Sequence, residues 1–398
     1  MAGAYPWDIV MNFISAWGGW GLGILPTLIA FLFVLTIVVF FHELGHFWVA
    51  RRCGVRVEAF SIGFGRELAG FNDRHGTRWK LCAIPLGGYV KFFGDADAAS
   101  RPDFETAGAM TEAERSQSFF HKTLAQRAAI VAAGPIANFI LAIVIFTAVF
   151  SLFGKPITAP RVETIAAESA AAAAGFKPGD LIVSIDGRAI DNFADMQRIV
   201  AGSAGRPLAI EVERDGGRAT LNATPATFEF KDRFGGTHRI GRLGISKSTQ
   251  PGDIEMRRYN PLTAAWMGAQ ETWFVISSTL SYIGGIFMGT QSADQLGGPI
   301  RIAQVAGEAA QIGFSTLLGF AALISVSIGL LNLFPIPLLD GGHLVFYAIE
   351  AIRGRPMSEN AQETAFRIGF VMVMTLMIFA TWNDLRGPLG ALFGRFVG

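Results

Sequence analysis

The sequence predicts an α-helical membrane protein with four transmembrane helices, a membrane-associated β-hairpin after the first helix, and an inserted α/β domain. Only 16% of its 398 residues are charged, whereas soluble domains usually carry about 25% charged residues. The charges are missing from five long apolar runs, while residues 160–250 show strand-like alternation instead. The formal net charge of +1 gives no general attraction to nucleic acid, so we expect no nucleic-acid partner.

The five uncharged runs define the candidate membrane segments. An apolar helix needs about 20 residues to cross a bilayer, and four of the runs exceed that length. The last run is shorter, but Phe366 and a snorkelling Arg367 can extend it. The runs are Ile9–Phe41, Ala128–Gly154, Thr272–Ala293, Ala309–Leu339 and Ile368–Asn383. The predicted spanning helices lie near Ile24–Ala50, Ala128–Phe153, Phe314–Ile336 and Phe366–Trp382.

The distribution of basic residues predicts the orientation. The loop 51–127 carries 12 Lys and Arg residues, and residues 1–23 carry none. Because basic loops favour the cytoplasmic side, we expect this loop to be cytoplasmic. Both termini and the segment 155–308 are then extracytoplasmic. The absence of a basic stretch before the first apolar segment indicates that this segment is retained rather than cleaved as a signal peptide.

Residues 160–250 read as a soluble α/β module. Strand-like alternation at 180–185 and 208–213 is followed by turn signals, and Asn192–Ala201 reads as a short helix. The stretch Ala174–Ile182, followed by Ile185-Asp186-Gly187, resembles a bacterial PDZ domain, present in one copy. Leu243, Gly244 and Ile245 resemble the carboxylate-binding loop of such domains, although they read equally well as a plain final strand.

A His-Glu-x-x-His motif ends the first predicted span. His42 and His46 lie four residues apart and share one helix face, so both imidazoles can reach one Zn²⁺. Glu43 lies beside them, where a carboxylate can accept a proton from water. The alternative is two satisfied polar residues at a helix end. Ionisable groups at membrane depth are costly and usually functional, which favours the metal site.

A catalytic zinc site typically has three protein ligands and one open position. Asp340 ends an uncharged run of the third core segment and is the candidate third ligand; a helix-capping role is the alternative. His343 is a rival ligand nearer the exit of that segment. His46 lies five residues before Arg51, whereas Asp340 lies thirteen before Arg353. At ~1.5 Å per helical residue these depths differ by about 12 Å, so the prolines and glycines near Asp340 must unwind or tilt the segment.

Three spaced motifs resemble the site-2 protease family, in its bacterial RseP-like branch. They are His42–His46, Gly134–Asn138, and the stretch Asn332–Gly341 with its two prolines. The resemblance implies that His42, His46 and Asp340 bind zinc, that Glu43 is the catalytic base and that Asn332 contacts substrate. It also implies a bacterial inner-membrane endopeptidase for regulated intramembrane proteolysis, with single-span substrates such as anti-sigma factors or signal-peptide remnants. Members with two PDZ domains are longer than this chain.

The motifs also constrain the membrane topology. His42, His46 and Asp340 must meet near one face of the bilayer, so the first and third core helices run in the same direction. A fifth crossing would move Asp340 to the far side, so we expect 261–293 to form amphipathic or interfacial helices. The predicted domains are 1–158 and 311–398 for the two halves of the protease core, 159–250 for the PDZ domain and 251–310 for an extracytoplasmic helical segment.

A peptide bond in a helix is shielded, so an intramembrane protease must hold its substrate extended. Val55–Ile62 and Trp79–Ile84 read as a hairpin that offers an edge for strand addition. The resemblance implies a membrane-re-entrant β-loop here, and the alternative is an ordinary cytoplasmic hairpin. Gly87 and Gly88 would allow close approach of the substrate backbone.

The second predicted span contains a proline and an asparagine at positions where both affect helix packing. Pro135 is expected to kink the second helix, and Asn138 to hydrogen-bond across helices in a structural role. A non-catalytic membrane adaptor would not need Glu43. A zinc transporter would need acidic or histidine residues along several helices, whereas the polar residues here cluster at one depth.

Overall fold

A computed structural model describes residues 6–95, 110–190, 192–231, 237–247, 254–289 and 297–397. The chain divides into two compact units. The first comprises residues 1–147, 265–281 and 292–398, and the second comprises residues 148–264 and 282–291.

The described residues form ten α-helices, and the five longest of them overlap the five apolar runs. In chain order they are α1 (Pro6–Arg52), α2 (Glu112–Gln117), α3 (Leu124–Ala148), α4 (Ala170–Ala173), α5 (Phe193–Ala201), α6 (Pro261–Phe287), α7 (Pro299–Ile312), α8 (Phe314–Asn332), α9 (Asp340–Arg353) and α10 (Glu359–Val397). A short 3-10 turn covers Phe119–His121, and a π-helical turn, Val149–Phe153, continues α3.

The strands of the described residues lie in two regions of the chain, 57–92 and 155–257. They are β1 (Val57–Asn72), β2 (Arg78–Phe92), β3 (Lys155–Thr158), β4 (Val162–Ile165), β5 (Leu181–Ile185), β6 (Arg188–Ala189), β7 (Leu208–Arg214), β8 (Gly217–Ala223), β9 (Ala226–Lys231), β10 (Thr237–Arg242), β11 (Ile245–Lys247) and β12 (Ile254–Arg257).

Four helices in the described part of the chain are long and apolar enough to cross a membrane. They contain Ile24–Arg52, Leu124–Phe153, Phe314–Asn332 and Glu359–Leu385, which matches the predicted number of spans. The uncharged run that begins at Thr272 falls largely within α6, which is not among them. Residues 290–293 of that run lie outside the described residues. The predicted interfacial placement of 261–293 stays a prediction.

The third and fourth predicted spans have different ends in the structure. The third was expected to reach Ile336, but α8 ends at Asn332 because Pro335 and Pro337 follow and cannot continue a regular helix. The fourth was expected to end at Trp382, but α10 extends to Val397, although Gly387 and Pro388 in this stretch disfavour helix.

The chain turns tightly between α8 and α9, and two glycines make the turn possible. Leu338 has a φ of +100°, a conformation that a non-glycine residue adopts only under strain. A Cβ on Gly341 would lie 2.3 Å from the Leu333 carbonyl oxygen, and one on Gly342 would lie 2.4 Å from the Ile336 carbonyl oxygen. Helix α9 begins at Asp340, directly after this turn. The expected unwinding near Asp340 is therefore a tight turn between two helices.

The hairpin after α1 is longer than its sequence pattern predicted. Residues 57–62 of β1 lie beside 88–92 on one side and beside 78–81 on the other, and 67–72 pair with 78–82. Segment 88–92 therefore forms one edge of this sheet. The hairpin packs on the end of α1 and the start of α3 through a shared apolar core that includes Phe47, Phe60, Phe92, Phe119 and Ile130.

The second unit is built around a four-stranded antiparallel sheet in the order β6-β5-β7-β8. Helix α5, one residue shorter than the predicted 192–201 helix, covers its core with Met196 and Val200. Asp180 and Arg214 form a paired hydrogen bond at 2.6 and 2.7 Å. Burial raises the pKa of Asp180, but the hydrogen bonds from Arg214 and the Lys177 amide outweigh it and hold the pKa below its ordinary value.

Candidate metal centre

The first two candidate ligands lie on the last turns of α1, where the chain crosses α3 at very short range. A Cβ on Gly45 would lie 2.3 Å from the Ala133 carbonyl oxygen, so only glycine permits this crossing. The four-residue spacing places His42 and His46 on the helix face that meets α3. Their Nε2 atoms are 3.3 Å apart.

The turn between α8 and α9 places Asp340, the third candidate ligand, beside the two histidines. Asp340 Oδ2 lies 3.3 Å from His42 Nε2 and 3.5 Å from His46 Nε2. A tetrahedral zinc ion with ligand distances of about 2.0–2.1 Å separates its ligand atoms by about 3.3–3.4 Å. The three side chains therefore already form a triangle of the right size for zinc, with one tetrahedral position left over.

The contacts behind the rings test whether this triangle suits a cation. His46 Nδ1 lies 2.9 Å from the Ile130 carbonyl oxygen and must donate to it, which leaves Nε2 of the neutral ring unprotonated. Among the described residues, Asp340 Oδ2 has no hydrogen-bond partner. His46 Nε2 and Asp340 Oδ2 thus face each other with their lone pairs, away from solvent. A bound cation stabilises such an arrangement. The residues present fit zinc.

Glu43 and the candidate ligands line one cavity of about 210 Å³. The Val90 backbone amide hydrogen-bonds to Glu43. A Cβ on Gly88 would lie 3.1 Å from Glu43 Cγ, so the edge segment 88–92 passes close to this carboxylate. The carboxylate, the three candidate ligands and a strand edge therefore meet in one space.

The other predicted site residues divide between this cavity and the second unit. Asn332 and Gly88 line the cavity, whereas Gly87 is not among its lining residues because it packs on the Phe64 ring. His343 also lines the cavity, but it is not part of the group that could hold a metal and packs on Phe366 instead.

The groove of the second unit holds the remaining predicted binding residues. Leu243, Gly244 and Ile245 line a cavity of about 330 Å³ between β11 and α5. Phe228 and Arg242 flank it, with the guanidinium carbon 5.4 Å from the ring centre. The sequence patterns did not single out these two residues, because their approach depends on how the β9–β10 hairpin folds.

Two residues of the stretch Gly134–Asn138 contact the candidate ligand histidines, which the sequence analysis did not predict. Asn138 Nδ2 lies 3.3 Å from His42 Nδ1, so this residue contacts a candidate ligand as well as joining helices. Gly134 lies against both histidines, since a Cβ there would be 2.2 Å from His46 Nε2. The Gly-Pro-x-x-Asn stretch was the only sequence signal for either contact.

Comparisons with known proteins agree with this geometry. The profile of peptidase family M50 matches residues 30–376. A Rhizobium meliloti protein described as a zinc metalloprotease is 50% identical over 364 residues, which are 92% of this chain and 97% of that protein. Metalloprotease MmpA of Caulobacter vibrioides is 43% identical over 387 residues, covering 92% and 96% of the two chains.

Protease RseP of Yersinia pestis is 35% identical over an alignment of 460 residues, covering 91% of this chain and 99% of that protein. Among solved structures, the PDZ domain of an SdrC-like protein from Listeria monocytogenes matches 22% of this chain and 84% of its own length. It is 19% identical, with a TM-score of 0.18, which is too low to support an argument.

Proposed function

Because the chain belongs to peptidase family M50, the site-2 protease family of zinc metallopeptidases, we propose that it cleaves single-span membrane proteins within or near their transmembrane segments. The observation that carries the proposal is the meeting of Glu43, the triangle of candidate zinc ligands and a strand edge in one cavity. The cavity belongs to a unit with four helices apolar enough to span a bilayer.

His42, His46 and Asp340 would hold the zinc. When bound, zinc polarises the scissile carbonyl and lowers the pKa of water toward ~7. Glu43 accepts a proton from the attacking water and passes it to the leaving amine nitrogen. Its position one residue after His42 on α1 keeps the carboxylate beside the ligand face, so proton acceptance and metal binding share one rigid helix.

The edge segment 88–92 is the proposed site for extended substrate. Within the described residues this segment pairs only with 57–62, so its other edge can add a substrate strand. Asn332 lines the same cavity and is placed to contact the substrate backbone. Gly88 keeps this edge close to Glu43, whereas Gly87 acts by packing on Phe64. A transmembrane substrate must therefore unwind locally before cleavage.

The second unit is proposed as a PDZ-type domain at 159–250 that filters substrates by size or docks newly made C-termini. Its groove between α5 and the Leu243-Gly244-Ile245 stretch supports this role. The proposed core halves remain 1–158 and 311–398, with 251–310 as an extracytoplasmic segment. Helix α6 suits a position at the membrane–water interface. Its Gly268 packs closely on α3 at Ile143, while its Trp266 and Trp273 side chains are exposed.

The proposed location is the bacterial inner membrane, as a multi-pass protein with both termini and the PDZ-type domain extracytoplasmic. The basic loop 51–127 supports this orientation and puts the zinc site toward the cytoplasmic side. The proposed partners are the lipid bilayer and single-span proteins already trimmed outside, such as anti-sigma factors or signal-peptide remnants.

The test compares wild type with Glu43→Gln, using a trimmed single-span substrate and measuring zinc content in both. We expect equal zinc and a loss of cleavage of at least about 100-fold, because general-base catalysis contributes roughly 10²–10⁴-fold. Equal cleavage by the two proteins would refute the mechanism. An adaptor would bind substrate without cleaving it in either form, and a transporter would move zinc across vesicles instead.

A further inference from the structure

We propose that Asn138 is a positioning residue that sets which nitrogen of His42 carries the proton, and so controls whether this histidine can bind zinc. The inference rests on the proposed ligand role of His42. It concerns a side chain on α3 that would not touch the metal. Its effect would pass through the far side of the imidazole ring.

Asn138 is fully buried where α1, α3 and α8 meet. Its backbone carbonyl accepts a hydrogen bond from Ser325 Oγ at 2.8 Å, and this bond already joins α3 to α8. The side-chain amide is not needed for that link. Its Nδ2 lies 3.3 Å from His42 Nδ1, and its Oδ1 has no hydrogen-bond partner within the described part of the chain.

The amide can satisfy either form of the neutral His42 ring. With Nδ2 toward the ring, the amide donates to Nδ1, and the ring proton sits on Nε2, which faces Asp340 Oδ2 at 3.3 Å. A histidine in that form cannot bind a metal through Nε2. Rotating the amide by 180° presents Oδ1, which accepts a proton from Nδ1 and leaves the Nε2 lone pair free.

The two candidate histidines therefore differ in their support. His46 faces the carbonyl oxygen of Ile130, which can only accept, so its neutral ring has Nε2 free for the metal. His42 faces a neutral amide that can donate or accept. Binding of zinc through His42 Nε2 therefore requires the amide to present Oδ1 to Nδ1.

The test measures zinc affinity of the full-length protein in lipid nanodiscs by competition with a chelator. Asn138→Leu keeps a side chain of similar size but offers no acceptor, and we expect zinc affinity to fall about 10–100-fold. Asn138→Asp restores an acceptor oxygen and is expected to recover affinity to within about 3-fold of wild type. Ser325→Ala is the matched control, because it removes the neighbouring hydrogen bond and leaves the amide in place.

The outcomes separate a positioning role from packing. Equal zinc affinity in wild type and Asn138→Leu, or an equal loss in Ser325→Ala, would overturn the inference. A second measurement on unmutated protein uses nitrogen-15 histidine NMR, which should place the His42 proton on Nε2 without zinc and on Nδ1 with zinc. A proton on Nδ1 in both states would also overturn it. Zinc affinity and the position of the His42 proton are measured without cleavage. A failed Glu43→Gln test would therefore count against the proposed catalysis and not against this role of Asn138.

Discussion

Replacing Gly134 by alanine should destroy the zinc site without unfolding the helix that carries it. The added Cβ would lie 2.2 Å from His46 Nε2, 2.5 Å from His46 Cε1 and 2.9 Å from His42 Cε1. An ordinary contact begins at 3.4 Å. The His46 ring must therefore retreat by about 1.2 Å, several times the tolerance of roughly 0.2 Å that metal–ligand distances allow.

A displacement of about 1 Å at a reacting group costs roughly 100-fold in rate. We therefore expect Gly134→Ala to lose at least about 100-fold in zinc affinity and in cleavage, measured by chelator competition and by turnover of a trimmed single-span substrate. The helix should remain, because alanine favours helix over glycine by about 0.5–1 kcal/mol.

Gly319→Ala is the matched control for this prediction. Gly319 lies in α8, another apolar helix, and within the described part of the chain no atom from outside the adjoining helical backbone lies within 4 Å of its added Cβ. Zinc affinity and cleavage should stay at the wild-type level in this variant. If Gly134→Ala binds zinc as tightly as Gly319→Ala does, the close approach of α3 to the histidines does not control the site, and the reasoning fails.

Two more predictions follow from the side-chain contacts. Asp340→Ala should abolish tight zinc binding, whereas His343→Ala should keep the wild-type zinc stoichiometry because His343 is outside the ligand group; equal losses by metal analysis would contradict this assignment. Asp180→Asn should destabilise the second unit by about 1.5–3 kcal/mol at neutral pH by breaking the pairing with Arg214. Because the folded pKa of Asp180 lies below its unfolded value, this stabilisation is present above about pH 4 and is lost as the pH falls through the folded pKa. Hydrogen exchange in β5 and β7 measures both effects, and wild-type exchange in Asp180→Asn at pH 7 would count against them.

The turn at residues 333–339 could be predicted from the sequence only in part. The prolines and glycines near Asp340 indicated that the segment could not continue as a regular helix. They did not indicate that the turn is so short that α9 begins at the candidate ligand Asp340. The difference arises because the turn depends on contacts of Gly341 and Gly342 with carbonyls of the preceding turn, and of Gly369 with Pro337 from another helix.

Asn138 illustrates the same limit for the site. Its type and depth in the sequence predicted a side-chain hydrogen bond across helices, and its amide Nδ2 lies 3.3 Å from His42 Nδ1 on α1. The contact of its amide with His42 depends on how far α3 is shifted along α1. That shift depends on the close crossing of α1 and α3, where Gly45 contacts the Ala133 carbonyl. These two residues are 88 positions apart in the sequence.

By itself, the sequence indicated the chemistry of the candidate centre and the positions of the apolar runs. The spacing of His42 and His46 is a local property of one helix, and the apolar runs depend only on composition, so both could be read without a fold. Only the tertiary structure decided that Asp340 completes a triangle of 3.3, 3.3 and 3.5 Å, that His343 stays outside it, and that Gly134 and Asn138 support the two rings. These features depend on packing between distant helices, where a shift of one ångström separates a metal site from three unrelated side chains.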